Sequence, residues 1–278
     1  MNLLGIDFEE WFHPELIQQK LTNEKKSFKI IKGLDKILDL FHKHETYATF
    51  FVVGEILKES PEIFDKIINC GHEIAFHTMY HSRLDSEGFQ DKFPIELEEF
   101  GSLTNKKSKG FRAPTFSLNR KSNWAIDVLE KYDYKYDSSI MPAKSTLYGN
   151  PNAPKIPYRI SGKNLDIEDA SSNIIEFPLM VTKILGKTVP ASGGFYLRTL
   201  PMSIIKKAFR EYEKNNIPVT FYIHSWELTP EYMPRIELGK KSNFITYHNL
   251  EKAFPKIEEL LNNFKFTTFE HYLKTNTF

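Results

Sequence analysis

Short runs of apolar, β-branched or aromatic residues alternate along this chain with longer stretches whose apolar positions recur at helical spacing. "NLLGID", "YATFFVVG", "HEIAFH", "KGFRAP" and "YKYDSS" read as strands. Between them, "SFKIIKGLDKILDLFHKH" places Ile30, Ile31, Leu34, Ile37, Leu38 and Phe41 on one helical face. "SPEIFDKIINCG" is punctuated as a helix by its leading Ser, a Pro at the first helical position and a closing Gly. "PIELEEFGSLT" and "RKSNWAIDVLEKYD" also read as helices. "NIIEFPLMV", "GGFYLRTL" and "PVTFYIHSWEL" continue the strand pattern, with helices expected near 202–215 and 247–262. Repeated strand–helix alternation calls for parallel strands joined by right-handed crossovers. At 278 residues, a single closed or nearly closed α/β barrel fits better than an open sheet. Residues 141–172 are rich in Pro, Gly, Asn and Ser without a period, and are expected to form a long loop or insertion.

Composition narrows the function classes. Hydrophobic residues make up 41% and charged residues 26%, enough for a real core. A net charge of +1 gives no reason to expect nucleic acid as a partner. The 23 Phe and 13 Tyr serve the core first, though exposed rings can stack on sugars. The single cysteine, Cys70, excludes an intramolecular disulfide and, before Gly71 at a helix end, is expected to be buried. "MNLLGIDFEEWF" has no basic region followed by a long apolar run. No stretch approaches the roughly 18 apolar residues of a membrane span. The expected location is cytoplasmic with no integral membrane segment, peripheral membrane association being left open. Composition says nothing of oligomeric state.

In α/β barrels, polar residues at the C-terminal ends of strands face the mouth where chemistry occurs. Five strand ends carry such residues: Asp7, Glu9 and Glu10; His77 and His81; Arg112; Asp137; and His224. Three of the nine histidines fall within "GHEIAFHTMYH". His77 and His81 are four apart, a spacing that puts two imidazoles on one face of a helical turn, as metal sites use. His72 with Glu73 does not open a zincin motif, because residue 76 is Phe. His72, inside a strand, is expected to be structural and bonded to backbone. Asp7 and Glu9 are two apart and point the same way on a strand, so one can bind a metal while the other acts as base toward water that the metal activates. A buried Arg112 needs a carboxylate partner, and Asp7 is the natural one.

Taken in order, "DFEEWF", "GHEIAFHTMYH", "GFRAPTFS", "YDSSI", "SGGFYLR" and "YIHSWE" resemble the motifs of the polysaccharide deacetylase superfamily, carbohydrate esterase family 4. The branch is the one associated with bacterial exopolysaccharide and surface-glycan clusters. The resemblance spans residues 3 to 228. It implies a deformed (β/α)7 barrel, a single divalent metal ion, often zinc, and hydrolysis of N-acetyl groups from amino sugars of a carbohydrate substrate. Carried over by position, it implies Asp7 as base, His77 and His81 as metal ligands, Arg112 as the residue orienting Asp7, and His224 as acid. Where many relatives have two adjacent aspartates, Phe8 follows Asp7 here. Glu9 is therefore the expected third ligand, with Glu10 and His13 in reserve. Gly193 and Gly194 are expected to line the sugar or acetyl pocket, unless they form a simple glycine bulge. Trp226 and Glu227 are expected to shape the acyl pocket. Trp11, Tyr136, Asp137 and Phe195 are candidate substrate contacts, the aromatics by stacking, with core packing as the competing role. Two other functions stay open at this point: a C–N hydrolase acting on an N-formyl sugar or small amide, and a catalytically silent glycan-binding barrel.

Overall fold

Strand β1 (Asn2–Phe8) is buried at all seven positions, as expected of a parallel strand covered on both faces. β1 pairs in parallel with β2 (Thr49–Val52), β2 with β3 (Glu73–Phe76), β3 with β4 (Gly110–Phe111) and β4 with β5 (Tyr136–Asp137). The short β6 (Tyr158–Arg159) runs antiparallel to β7 (Ile175–Glu176), which pairs in parallel with β5. A separate antiparallel hairpin, β8 (Val181–Ile184) and β9 (Lys187–Pro190), follows. β10 (Thr220–His224) then returns to the free side of β1, and β11 (Phe266–Thr267) pairs with the start of β1. The order β10-β1-β2-β3-β4-β5-β7 gives seven parallel strands, with β6 added at one edge. This computed structural model describes residues 1–21, 26–145 and 148–278. Positions 146 and 147 of the expected 141–172 insertion lie outside the described residues.

The sheet curls into a half-barrel of the kind the sequence suggests, but the strand ladder itself does not close. Its ends meet through the chain just past β7, where the Met180 N–H donates to the Thr220 carbonyl of β10 at 3.1 Å. Amphipathic helices cover the outside. Leu34–Lys43 buries Leu34, Ile37, Leu38, Leu40 and Phe41 against the sheet, and Glu62–Asn69 buries Ile63, Phe64 and Ile67. The 141–172 stretch is not bare loop. It contains β6 and buries Ala153, Ile160 and Leu165, and the Tyr158 hydroxyl donates to the Leu165 carbonyl at 2.7 Å.

Several local expectations give way to tertiary effects. The helix expected from residue 27 starts as a 3-10 turn, Ile30–Gly33, before the α-helix from Leu34. The N–H groups of Lys29, Ile30 and Ile31 all donate to the distant Glu10 carboxylate, so this end is capped by tertiary contact, which local sequence does not display. "GGFYLRTL" is not a strand but a short helix, Gly194–Thr199. The helix expected from Pro94 begins earlier, at Phe89, with Pro94 inside it. Helices Gly54–Glu59 and Lys240–Tyr247 had no sequence expectation. Cys70 is exposed rather than buried, because it caps a helix whose apolar face points elsewhere.

Close packing inside the barrel is set where β4 meets β5. A Cβ on Gly110 would lie 1.9 Å from the Tyr136 ring. Tyr136 cannot retreat: its ring stacks on Phe269 at 5.2 Å and its hydroxyl donates to Glu73 at 2.7 Å. Overpacking of this kind costs about 1–3 kcal/mol. Gly110→Ala should therefore lower the melting temperature by several degrees, whereas Gly186→Ala, in open space at the β8–β9 turn, should show only the smaller cost of its positive φ. Equal shifts in thermal unfolding would contradict this packing.

Candidate active site

The C-terminal ends of the parallel strands converge on one cleft. Asp7 and His224 are direct partners across the β1–β10 ladder, so their side chains share a face. Arg112 follows β4, and its N–H donates to the Phe76 carbonyl at 3.0 Å, which places it beside His77. Asp7, Glu9, His77, His81, His224, Trp226 and Glu227 border one small cavity of about 130 Å³, walled also by Phe116, Tyr148, Phe195, Tyr222, Ile245 and Thr246.

Glu9, His77 and His81 each offer a ligand atom, and these atoms lie within 4.8 Å of one another. All three residues are buried. The His77 Nδ1–H donates to the Arg112 carbonyl at 2.7 Å, which fixes the tautomer and leaves Nε2 as the free donor atom. Burial pushes the His77 imidazolium down to about 4, so the ring is neutral and able to ligate at neutral pH. Glu9 Oε2 lies 2.8 Å from His81 Nε2, yet no donor is aligned on it. A buried carboxylate oxygen without a hydrogen bond, facing two imidazole nitrogens, fits a cation between them. Burial alone would raise the Glu9 carboxyl, but the imidazoles of His81, His224 and His77 hold it well below the ordinary carboxylate range. The residues present therefore fit a divalent metal.

The spacing of the histidine pair works, but not through a helix. His77–His81 is a loop in which Thr78 and His81 adopt positive φ, 56° and 55°. The reserve ligands are occupied elsewhere. Glu10 caps the Ile30 turn as described. His13 Nδ1 accepts the Glu10 N–H at 2.9 Å, and its Nε2–H donates to Glu55 at 2.6 Å while the ring stacks on His81 at 5.9 Å. Burial lowers the His13 imidazolium, consistent with a neutral ring in this role.

Two further units flank the candidate metal site. Arg112, fully buried, donates to Asp7 Oδ1 at 2.7 Å, to the Ser138 carbonyl at 2.9 Å and to Ser138 Oγ at 2.8 Å. One Asp7 oxygen is thereby fixed, and the other is not engaged by Arg112. His224 Nδ1 lies 2.7 Å from Glu227, which in turn accepts from Arg198 Nε at 2.7 Å. His224 Nε2 points toward Glu9, 3.7 Å away. Burial would lower the His224 pKa, but the Glu227 carboxylate, with Glu9 and Asp7, outweighs it and lifts the ring to about 9. The imidazolium is thus the resident form at neutral pH.

Not every expected contact reaches the cleft. Trp226 borders it but acts on the protein: its indole N–H donates to Glu9 Oε1 at 2.8 Å and its ring stacks on His224 at 4.9 Å. Trp11 lies in a side cluster with Phe12, Ile17 and Ile30, its N–H donating to the Ser27 carbonyl, so neither ring face is open to a sugar. Tyr136 is fully buried inside the barrel and does not border the cleft. Asp137 faces Glu176 rather than the mouth. Burial raises both carboxyls, and Asp137 Oδ2 and Glu176 Oε2 lack any N–H or O–H donor, which fits a proton shared between them. Gly193 and Gly194 do not line the cleft. They are glycines because a Cβ would meet Tyr222 at 2.4 Å and Glu227 at 1.5 Å. His72 accepts the Ala48 N–H through Nδ1 at 3.2 Å, a structural role. Arg198 was not singled out by sequence. The only signal was its place four residues past Gly194 in "SGGFYLR".

Comparison with known proteins gives the same frame. Residues 32–136 match the polysaccharide deacetylase family model, and residues 138–274 match a domain of unknown function, DUF3473. A peptidoglycan deacetylase of Helicobacter pylori is 27% identical over 186 residues, covering 63% of this chain and 58% of that protein. A chitooligosaccharide deacetylase of Sinorhizobium fredii is 39% identical over 56 residues, 20% of this chain and 26% of that one. The chain thus spans little more than half the length of these curated relatives, or less. A structure from Mycobacterium smegmatis assigned to the polysaccharide deacetylases superposes with a TM-score of 0.61 at 14% identity, over 98% of this chain and 89% of that chain. Residues 32–136 thus belong to the polysaccharide deacetylase family, and the chain shares the fold of the M. smegmatis structure. Among the described residues, no helix is long and apolar enough to cross a membrane.

Glu9 and Glu10 can be separated experimentally. Glu9→Gln should lower zinc affinity sharply while leaving the melting temperature of the metal-free protein close to wild type. Glu10→Gln should do the reverse, because it disturbs the cap on three backbone N–H groups, each worth about 1 kcal/mol. Metal titration alongside thermal unfolding reads both. If Glu10→Gln lost the metal instead, the assignment of Glu9 would be wrong.

Proposed function

We propose that this protein is a metal-dependent hydrolase that removes N-acetyl groups from amino sugars of a bacterial polysaccharide or glycan precursor. One observation carries the reading: the Glu9–His77–His81 cluster sits between a carboxylate oriented by Arg112 and an imidazolium held by Glu227, all on one small cavity. The named activities of the similar H. pylori and S. fredii deacetylases support it.

Glu9, His77 and His81 would hold the metal, with zinc the ion such histidine and carboxylate sets commonly take. Bound there, the metal supplies Lewis acidity that polarises the acyl oxygen and acidifies water. Asp7 would accept the proton of the attacking water, and Arg112 keeps that carboxylate aimed. His224 is placed to give a proton to the departing nitrogen. The balance is simple: the acyl C–N bond breaks, a C–O bond from water forms, and acetate and a free amine leave. Glu227, neutralised on its far side by Arg198, keeps His224 charged and its ring oriented. Trp226 holds Glu9 and His224 in register.

The test is acetate release from a panel of N-acetylated amino-sugar oligomers, with and without chelator. Activity should vanish with chelator and return with zinc, and His77→Ala should fall to the uncatalysed background. A fully active His77→Ala protein would sink the metal mechanism, and formate release from N-formyl sugars alone would reassign the acyl group. The pH profile offers a second check. His224 works protonated, so activity should fall as pH rises through its pKa, at or below about 9 because a bound cation opposes protonation. Glu227→Gln removes the anion that raises this pKa, so the alkaline limb should move to lower pH. An unmoved limb would exclude His224 as the group that titrates.

A further inference from the structure

The catalytic cavity, at about 130 Å³, is smaller than the roughly 300–1,000 Å³ that enclosed ligand sites usually occupy. It can take the reacting group and little more of a glycan. Substrate that is held only there has few contacts from which to derive binding. A second concavity of about 590 Å³ lies on the far side of the helix Lys240–Tyr247, bordered by Arg235, Glu237, Phe244, Tyr247 and His248. The two hollows share a wall. Phe195, Ile245 and Thr246 face the catalytic cavity, and the Phe195 ring meets Phe244 edge-on at 6.1 Å. Phe244 is 50% exposed and stacks on the His248 ring at 4.5 Å. It forms a flat, half-open aromatic ledge leading away from the cleft.

Resting on the reading above, we propose that this second hollow is a glycan subsite that takes sugar residues of the same chain whose N-acetyl group is in the catalytic cavity. The chemistry suits a sugar. An aromatic ledge offers a face for the C–H side of a pyranose ring. Exposed Arg235 lies 5.3 Å over the Tyr247 ring and, among the described residues, forms no ion pair, so its N–H groups can donate to hydroxyls. Glu237, exposed beside it, offers carboxylate acceptors. The hollow is also in fixed register with the chemistry. Arg198, which holds Glu227, also donates to the Ile245 and His248 carbonyls at the end of the same helix. A chain seated on the ledge is therefore positioned relative to His224 by one buried guanidinium.

Two measurements on the whole 278-residue chain test this. In the first, kcat/KM for acetate release is followed against chain length, from the N-acetylated monosaccharide to the hexasaccharide. Wild type should favour the longer chains, and Phe244→Ala should reduce the ratio of hexamer to monomer kcat/KM by about tenfold, the size of one lost stacking contact. Arg235→Ala should reduce the same ratio. A wild-type kcat/KM independent of chain length, or an unchanged ratio in both variants, would overturn the subsite. In the second, hexasaccharide binding is measured calorimetrically on the chelated protein, where no turnover intervenes. Weaker binding by Phe244→Ala supports the subsite even if no acetate is ever released, an outcome that would sink the proposed activity alone. Unaltered binding by both variants overturns the subsite whatever the activity.

Discussion

The buried pair between Arg112 and Asp7 is the constraint around which the site is built. A guanidinium with no exposed surface is costly to desolvate. It is tolerated because nearly every direction around it is filled: Asp7 Oδ1, the carbonyl and hydroxyl of Ser138, and the Phe51 ring 3.9 Å from its central carbon. Removing one member of such a pair leaves an uncompensated buried charge, at a cost of about 3–5 kcal/mol. The pair reaches into the backbone too. A Cβ on Gly5 would lie 2.5 Å from an Arg112 nitrogen, so the middle of β1 is shaped by the guanidinium it faces. The Arg112 carbonyl accepts from His77, so the same residue sets Asp7, the proposed base, on one side and a candidate metal ligand on the other.

The opposite wall follows the same logic with signs reversed. There a buried carboxylate, Glu227, is held between Arg198 and His224. Two anions, Asp7 and Glu227, and three cations, Arg112, Arg198 and the His224 imidazolium, thus stand around a cavity that Glu9 also borders. Asp7 and His224 are each oriented by a buried, oppositely charged partner. Trp226 is part of this support, since its indole N–H donates to Glu9 Oε1, on the His224 side, and leaves Oε2 to His81. Rigid positioning by second partners is what keeps reacting groups aimed without reorganisation during the reaction.

How much of this is legible in the sequence depends on the length of the strand that carries each residue. β1, β3 and β10 are four to seven residues long, and their apolar runs place Asp7, Glu9, His77 and His224 at their ends without ambiguity. The Arg112–Asp7 partnership follows from burial alone. β5 has only two residues, so the direction of Tyr136 and Asp137 is decided by register with β4 and β7, which local pattern does not contain. Gly193 and Gly194 read as pocket-lining backbone, when their smallness serves Tyr222 and Glu227 from elsewhere in the chain. Arg198 and Glu227 are 29 residues apart, and nothing local announces their pairing. Sequence shows which groups are present at strand ends. It does not show which are claimed first by another buried charge.

The position of β1 has a consequence for how the molecule comes into being. This strand carries Asp7 and Glu9, yet its neighbours are β2, β10 and β11, the last two formed by residues after 219. During synthesis the first strand emerges long before the strands that flank it on one side. Its apolar edge must wait through roughly two hundred residues of translation, about 10–40 s at ordinary elongation rates. Closure of such distant pairings is slow and leaves a sticky edge exposed meanwhile. A ribosome-bound fragment of this chain can therefore hold the histidines of β3 and the arginine of β4 without His224. The candidate site is complete only once β10 has emerged, and until then the nascent polypeptide exposes an aggregation-prone edge.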